Sequence, residues 1–206
     1  MSMTTSDELR CIEAVRRGDV GRFEELVRAY EKEIYNLCLR MLGGEQDALD
    51  ASQEAFFKAF RSLDSFRGES RFSTWLYRLA SNVCLDMLRK RSNRREVSLD
   101  DDEILLPPIR DSRPSPQEAV ETNELRQVMN KALDSLAPEF RQAVVLRDVT
   151  GLSYEEIAGV TGLEAGTVKS RIFRARRKLA DALLRDGNFS ELYPSKKTHG
   201  KGGAGA

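Results

Sequence analysis

Between Glu164 and Lys178 six cations, Lys169, Arg171, Arg174, Arg176, Arg177 and Lys178, meet only one acid, Glu164. Ammonium and guanidinium groups offer donors and no acceptor, so such a cluster holds phosphates and the acceptor edges of guanine rather than moving protons. A second cationic group, Arg89, Lys90, Arg91, Arg94 and Arg95, follows the aromatic residues Phe66, Phe72, Trp75 and Tyr77. Rings followed by cations suit single-stranded DNA, whose bases stack or sit in pockets while the backbone is held electrostatically. A third group, Asp50, Gln53, Glu54 and Phe57, sets one aromatic among polar residues, the pattern of a protein-binding anchor in a polar rim. Composition alone leaves Phe57 either there or tucked into the core, and Trp75 taken by itself reads as core. No nucleophile, base and orienting group can be assembled around the single His199, and no metal-ligand cluster or phosphate-cradling glycine loop occurs. The sequence therefore implies recognition without catalysis, cofactor or small-molecule substrate.

Helices must position these groups. Ser153 and Glu156 have capping-box spacing before Ile157, Ala158 and Val160, and Gly162 follows as a helix stop. A second helix from about Gly166 buries Val168, Ile172 and Leu179 and turns the cations outward, which gives a helix-turn-helix. Pro138 opens the preceding helix, with Ala143, Val144, Leu146 and Val149 inward, and another helix runs from about Gln117 to Leu136. In the first half, apolar residues at helical spacing predict helices over Leu9–Arg17, Phe23–Leu42, Glu45 to about Leu63, and Arg71 to about Arg91, with a loop at Asp64–Ser70. Residues 1–8 read as frayed.

The whole chain of 206 residues carries no net charge, so an argument for nucleic acid rests on distribution. From Glu96 to Glu124 nine acids face two bases, and Pro107, Pro108, Pro114 and Pro116 interrupt any helix. This segment reads as an acidic tether between two small helical domains, so the fold class is all-α. Cys11, Cys38 and Cys84 are odd in number and scattered, fitting reduced thiols; with neither a signal-peptide pattern nor a bilayer-crossing run, the expected location is the cytoplasm.

Residues 47–91, DALDASQEAFFKAFRSLDSFRGESRFSTWLYRLASNVCLDMLRKR, resemble region 2 of the extracytoplasmic-function sigma factors of the bacterial sigma-70 family. Residues 134–179, DSLAPEFRQAVVLRDVTGLSYEEIAGVTGLEAGTVKSRIFRARRKL, resemble their region 4. The resemblance implies a region 2 domain over residues 1–96, a flexible linker over 97–119, a region 4 domain over 120–186 and a disordered tail over 187–206. It implies docking of Asp47, Asp50, Gln53, Glu54 and Phe57 on the β′ clamp of core RNA polymerase, with the β flap as a further contact. Phe66, Arg67, Gly68 and Asn82 would hold a flipped base of the minus-10 element, Trp75, Tyr77 and Arg78 would support the melted strand, and Arg89, Lys90 and Arg91 would hold its phosphates. Thr167, Lys169, Ser170, Arg171 and Arg174 would read the minus-35 duplex, with Ser153 and Tyr154 beside them and Arg176, Arg177 and Lys178 on phosphate. A cognate anti-sigma factor, often membrane-bound in this family, is a further implied partner. Leu49, where the family often has an acid, and Glu164, where a proline is common, depart from the pattern. A stand-alone helix-turn-helix regulator is the alternative, and it leaves residues 47–91 without a task.

Overall fold

The computed structural model describes residues 3–97 and 127–185. The acidic segment and the C-terminal tail lie outside these residues, as does the first part of the helix expected from Gln117. Among the described residues the secondary structure is entirely helical.

Helix α1 spans Thr5–Arg16, starting earlier than expected, because Thr4 caps it by accepting from the Asp7 amide at 3.2 Å. Its Glu8 is buried and accepts from the Tyr30 hydroxyl, which gives the first turn a fixed anchor. Helix α2, Phe23–Leu42, has the expected bounds and stops at Gly43, whose φ of 78° lets its amide return to the Leu39 carbonyl at 2.9 Å. Helix α3, Glu45–Arg61, buries Ala48, Ala51, Ala55 and Ala59 completely, and side chains this small let α2 and α4 approach closely. It ends two residues short of the expected Leu63, giving way to a single 3-10 turn, Leu63–Ser65. Helix α4, Phe72–Val97, runs past the expected end at Arg91, since neither glycine nor proline interrupts it there.

In the second half, α5 is described over residues 127–134, and α6, Pro138–Asp148, opens with proline in its first turn, where a missing donor is harmless. Helix α7, Tyr154–Thr161, carries the full capping box: the Glu156 amide donates to Ser153 Oγ at 3.1 Å, and the Ser153 amide donates to Glu156 Oε2 at 2.9 Å. Gly162, with φ of 71°, turns the chain into α8, Ala165–Arg185.

The halves pack against each other, α6 and α7 lying on α2 and α4. Two buried polar residues of α6 reach across: Arg141 Nη1 donates to the Met41 carbonyl at 2.9 Å, and Gln142 Nε2 donates to Ser81 Oγ at 3.1 Å. Arg141 also pairs with Asp134 at 2.8 Å, while its Nε has no acceptor among the described residues.

Tyr77, expected beside DNA, is buried, and its hydroxyl donates to Glu33 Oε2 at 2.8 Å. Burial first, and then the Glu33 carboxylate, push its ionisation well above the usual phenol range; burial and Glu8 do the same for Tyr30. The unfolded chain ionises both near pH 10 and the folded chain resists, so this stabilisation is whole at neutral pH and fades as pH rises beyond about 10. Tyr77→Phe is therefore expected to flatten the alkaline fall of the urea midpoint, leaving the exposed Glu33 hydrated. An unchanged slope would show that Tyr77 titrates alike in both states.

Candidate nucleic-acid and protein interface

Three surfaces emerge. On α3, Asp50, Gln53 and Glu54 are exposed, and Phe57 stands out of the core at 54% exposure with the Arg61 guanidinium 5.5 Å from its ring centre. Gln46 Nε2 donates to Asp50 Oδ1 at 3.0 Å, and Lys58 stands 3.7 Å from Glu54. Leu49, noted above only as a departure from the family pattern, and Phe60 extend the apolar part of this surface along the same stripe at helical spacing. Asp47 is set apart, being half-buried and paired with Arg91.

The second surface lies along α4 and the loop before it. Three expected DNA contacts are core residues instead: Phe66, Trp75 and Tyr77 are all nearly inaccessible. For Phe66 and Trp75 the reason is Phe72, whose ring lies 5.6 Å from Phe66 and 5.7 Å from Trp75, with Phe66 and Trp75 5.4 Å apart. The rings interlock into a floor under the loop. What remains outside is Arg67, Gly68, Arg78, Asn82, Arg89 and Lys90. Arg71, just ahead of α4, lines up with Arg78, Asn82 and Arg89 at intervals close to whole turns, a member of the stripe that sequence reasoning missed. Arg91 leaves the phosphate group of cations, because it reaches Asp47 and the Leu42 carbonyl.

The third surface is α8. Val168, Ile172 and Ala175 face inward, so Thr167, Lys169, Ser170, Arg174 and Arg177 are exposed, with Arg171 half-buried. Not every cation is available. Arg176 is bonded to Asp148 on α6, which raises its affinity for the proton, and Lys178 lies 4.8 Å from the Phe140 ring centre. Both brace α8 against α6. Ser153 is occupied as the cap of α7, and the Arg147 guanidinium lies 5.0 Å from the Tyr154 ring centre. Lys169, Arg171, Arg174 and Arg177 have no ion pair among the described residues, and this free set is the one suited to phosphates and guanine edges. Asn82, Asp86 and Arg89 of α4, Glu139 and Gln142 of α6, and Arg171 of α8 line one cleft of about 410 Å³.

A helical body with an exposed cationic stripe on one unit and a helix-turn-helix on the other has the form of a DNA-binding protein. Residues 26–94 match Sigma-70 region 2, and residues 126–179 match Sigma-70, region 4. The chain is 39% identical over 186 residues to the RNA polymerase sigma-H factor of Pseudomonas aeruginosa, covering 88% of this chain and 96% of that protein. It is 41% identical over 163 residues to the ECF RNA polymerase sigma factor SigE of Mycolicibacterium smegmatis, covering 79% of this chain and 62% of that longer protein. Among solved structures it is similar to the sigma factor RpoE of Bartonella quintana in complex with the anti-sigma factor NepR, at a TM-score of 0.60 and 26% identity, covering 80% of this chain and 98% of that one. The chain belongs to the extracytoplasmic-function sigma factors of the sigma-70 family, being also 40% identical over 184 residues to the ECF RNA polymerase sigma-E factor of Escherichia coli, covering 87% of this chain and 95% of that protein. No helix among the described residues is long and apolar enough to cross a membrane.

Proposed function

We propose that this chain is a promoter-specificity subunit that joins core RNA polymerase in the cytoplasm and directs it to promoters carrying paired minus-35 and minus-10 elements. The observation that carries this reading is the set of unpaired cations on α8 behind a capped turn, together with the Arg71, Arg78, Asn82 and Arg89 stripe on α4. The α3 surface around Phe57 docks the polymerase clamp, with the β flap engaging the second unit. Arg67 and Gly68 of the exposed loop, with Asn82, hold a flipped minus-10 base, and Arg78, Arg89 and Lys90 hold the melted strand. Thr167, Lys169, Arg171 and Arg174 read the minus-35 duplex, and Arg177 meets phosphate. In the same division of labour, residues 1–96 form the polymerase-binding unit, 97–119 the tether, 120–186 the minus-35 unit and 187–206 a tail. Chemistry stays with the core enzyme, and promoter opening draws on binding energy alone. An anti-sigma factor is the partner that holds this chain inactive, a reading supported by the Bartonella relative, which is in complex with one.

Transcription in vitro with core polymerase, this protein and a fragment library of its genome tests the reading. Discrete starts that require the protein are expected, whereas tight binding to core without transcripts would make the chain an occupant of polymerase rather than an initiator. On promoters recovered this way, Arg171→Ala is expected to cost about 1–3 kcal/mol of discrimination at one minus-35 position. A loss of equal size on every sequence would assign Arg171 to phosphate.

A further inference from the structure

Arg16 lies in the last turn of α1, ahead of the residues that match region 2, and none of the surfaces above includes it. Its guanidinium crosses to the turn that follows α3. Nη2 donates to the Leu63 carbonyl at 2.8 Å and to the Phe66 carbonyl, while Nε stands 3.8 Å from Asp64 Oδ1. These carbonyls sit at the two ends of the 3-10 turn Leu63–Ser65, so one planar group clamps the whole turn. A lysine, with a single ammonium on a flexible stem, lacks the fixed fork this requires.

Phe66 is thereby held from two sides. Its ring is locked against Phe72 and Trp75, and its carbonyl is held by Arg16. Immediately beyond it, Arg67–Ser70 is fully exposed, passes through Gly68 at φ 74°, and its backbone makes no hydrogen bond to the rest of the described chain. In a planar trans peptide the carbonyl and the next amide point in opposite directions. Holding the Phe66 carbonyl on the body of the protein therefore directs the Arg67 N–H outward, and with it the start of the exposed segment.

We propose that Arg16 is a positioning residue for minus-10 reading: from α1 it fixes the peptide plane on which the exposed loop Arg67–Ser70 is mounted. This rests on the assignment of Arg67 and Gly68 in that loop to a flipped minus-10 base. A loop already set in its binding conformation spends less binding energy on ordering itself, so the benefit falls on the base that the loop must select.

The test uses holoenzyme assembled from the full chain and core polymerase, challenged with a single-stranded DNA pool randomised over a short window, followed by sequencing of the bound fraction. Wild type, Arg16→Ala, Arg16→Lys and Arg67→Ala are compared. Arg16→Ala is expected to lower enrichment of the preferred base at one position by about tenfold, the scale of one lost well-placed base contact, while other positions and the yield of holoenzyme hold. Arg16→Lys recovers only part of that enrichment. If Arg67→Ala erases the preference and Arg16→Ala leaves it intact, the loop reads DNA without this anchor and the inference is overturned. An equal fall at every position makes Arg16 a general stability residue, which also overturns it. If wild type and Arg67→Ala give the same profile, the loop is not the reader, and the assignment beneath the inference fails as well.

Discussion

Replacing Phe72 by alanine is expected to destabilise the N-terminal helices by about 3–5 kcal/mol, the range for removing a large aromatic from a packed core. Phe72 is 1% exposed, and its ring is within 6 Å of three others, the nearest contact being Phe66 at 5.6 Å, with Tyr30 and Trp75 both at 5.7 Å. Tyr30 belongs to α2, Phe66 to the loop and Trp75 to α4, so the cavity would open where three segments meet. Total stabilities of about 5–15 kcal/mol make this a large fraction of what holds a domain together. The loss is expected as a lower denaturant midpoint of the early-melting unit, while α8, whose contacts lie on α6 and α7, keeps its helical signal. Phe72→Leu, which keeps most of the volume, is expected to cost under about 1.5 kcal/mol. A cost below about 1 kcal/mol for the alanine variant would mean that the ring cluster does not carry the fold.

That cluster also marks where the sequence was silent. Periodicity was enough for α2, because an unbroken apolar stripe ends at a glycine that must take positive φ. Local chemistry was enough for the turn before α8, since the capping box needs only residues three apart. Composition left Phe57 open between surface and core, and the structure stands it outside, opposite the alanine stripe of α3. By contrast, Phe66, Trp75 and Tyr77 have the composition of a DNA-stacking surface, yet packing around Phe72 sends Phe66 and Trp75 inside, and Tyr77 is buried with its hydroxyl on Glu33. Which cations are free was equally hidden. Arg176 is neutralised by Asp148, 28 residues earlier, and Arg91 by Asp47, and no helical spacing relates either pair. Arg16 was invisible for the same reason, because its acceptors are backbone carbonyls some fifty residues away, which carry no residue-type signature.

The docking of the halves yields the second large effect, at Arg141. This residue is 4% exposed, and burial lowers the affinity of its guanidinium for the proton even though Asp134 opposes the shift. Its bond to the Met41 carbonyl spans the two units, with Gln142 to Ser81 beside it. In this docked arrangement Asn82 and Arg171 line the same cleft, whereas minus-10 and minus-35 elements lie roughly 85 Å apart along a duplex at 3.4 Å per base step. With Asn82 and Arg171 reading the two elements as proposed, simultaneous reading requires α6 to leave α2 and α4. Arg141→Ala removes the main polar tie, strands the Met41 carbonyl and leaves Asp134 hydrated at the surface, for an expected cost of about 2–3 kcal/mol. Because a ligand that binds only the open form is weakened by the fraction closed, the same substitution is expected to tighten binding of a minus-35 duplex to the free chain by up to about tenfold. Small-angle scattering should give a larger radius of gyration, with Gln142→Ala shifting it in the same direction by less. A lower melting temperature with unchanged size and unchanged duplex affinity would instead place Arg141 among the residues that merely hold α6 in its own unit.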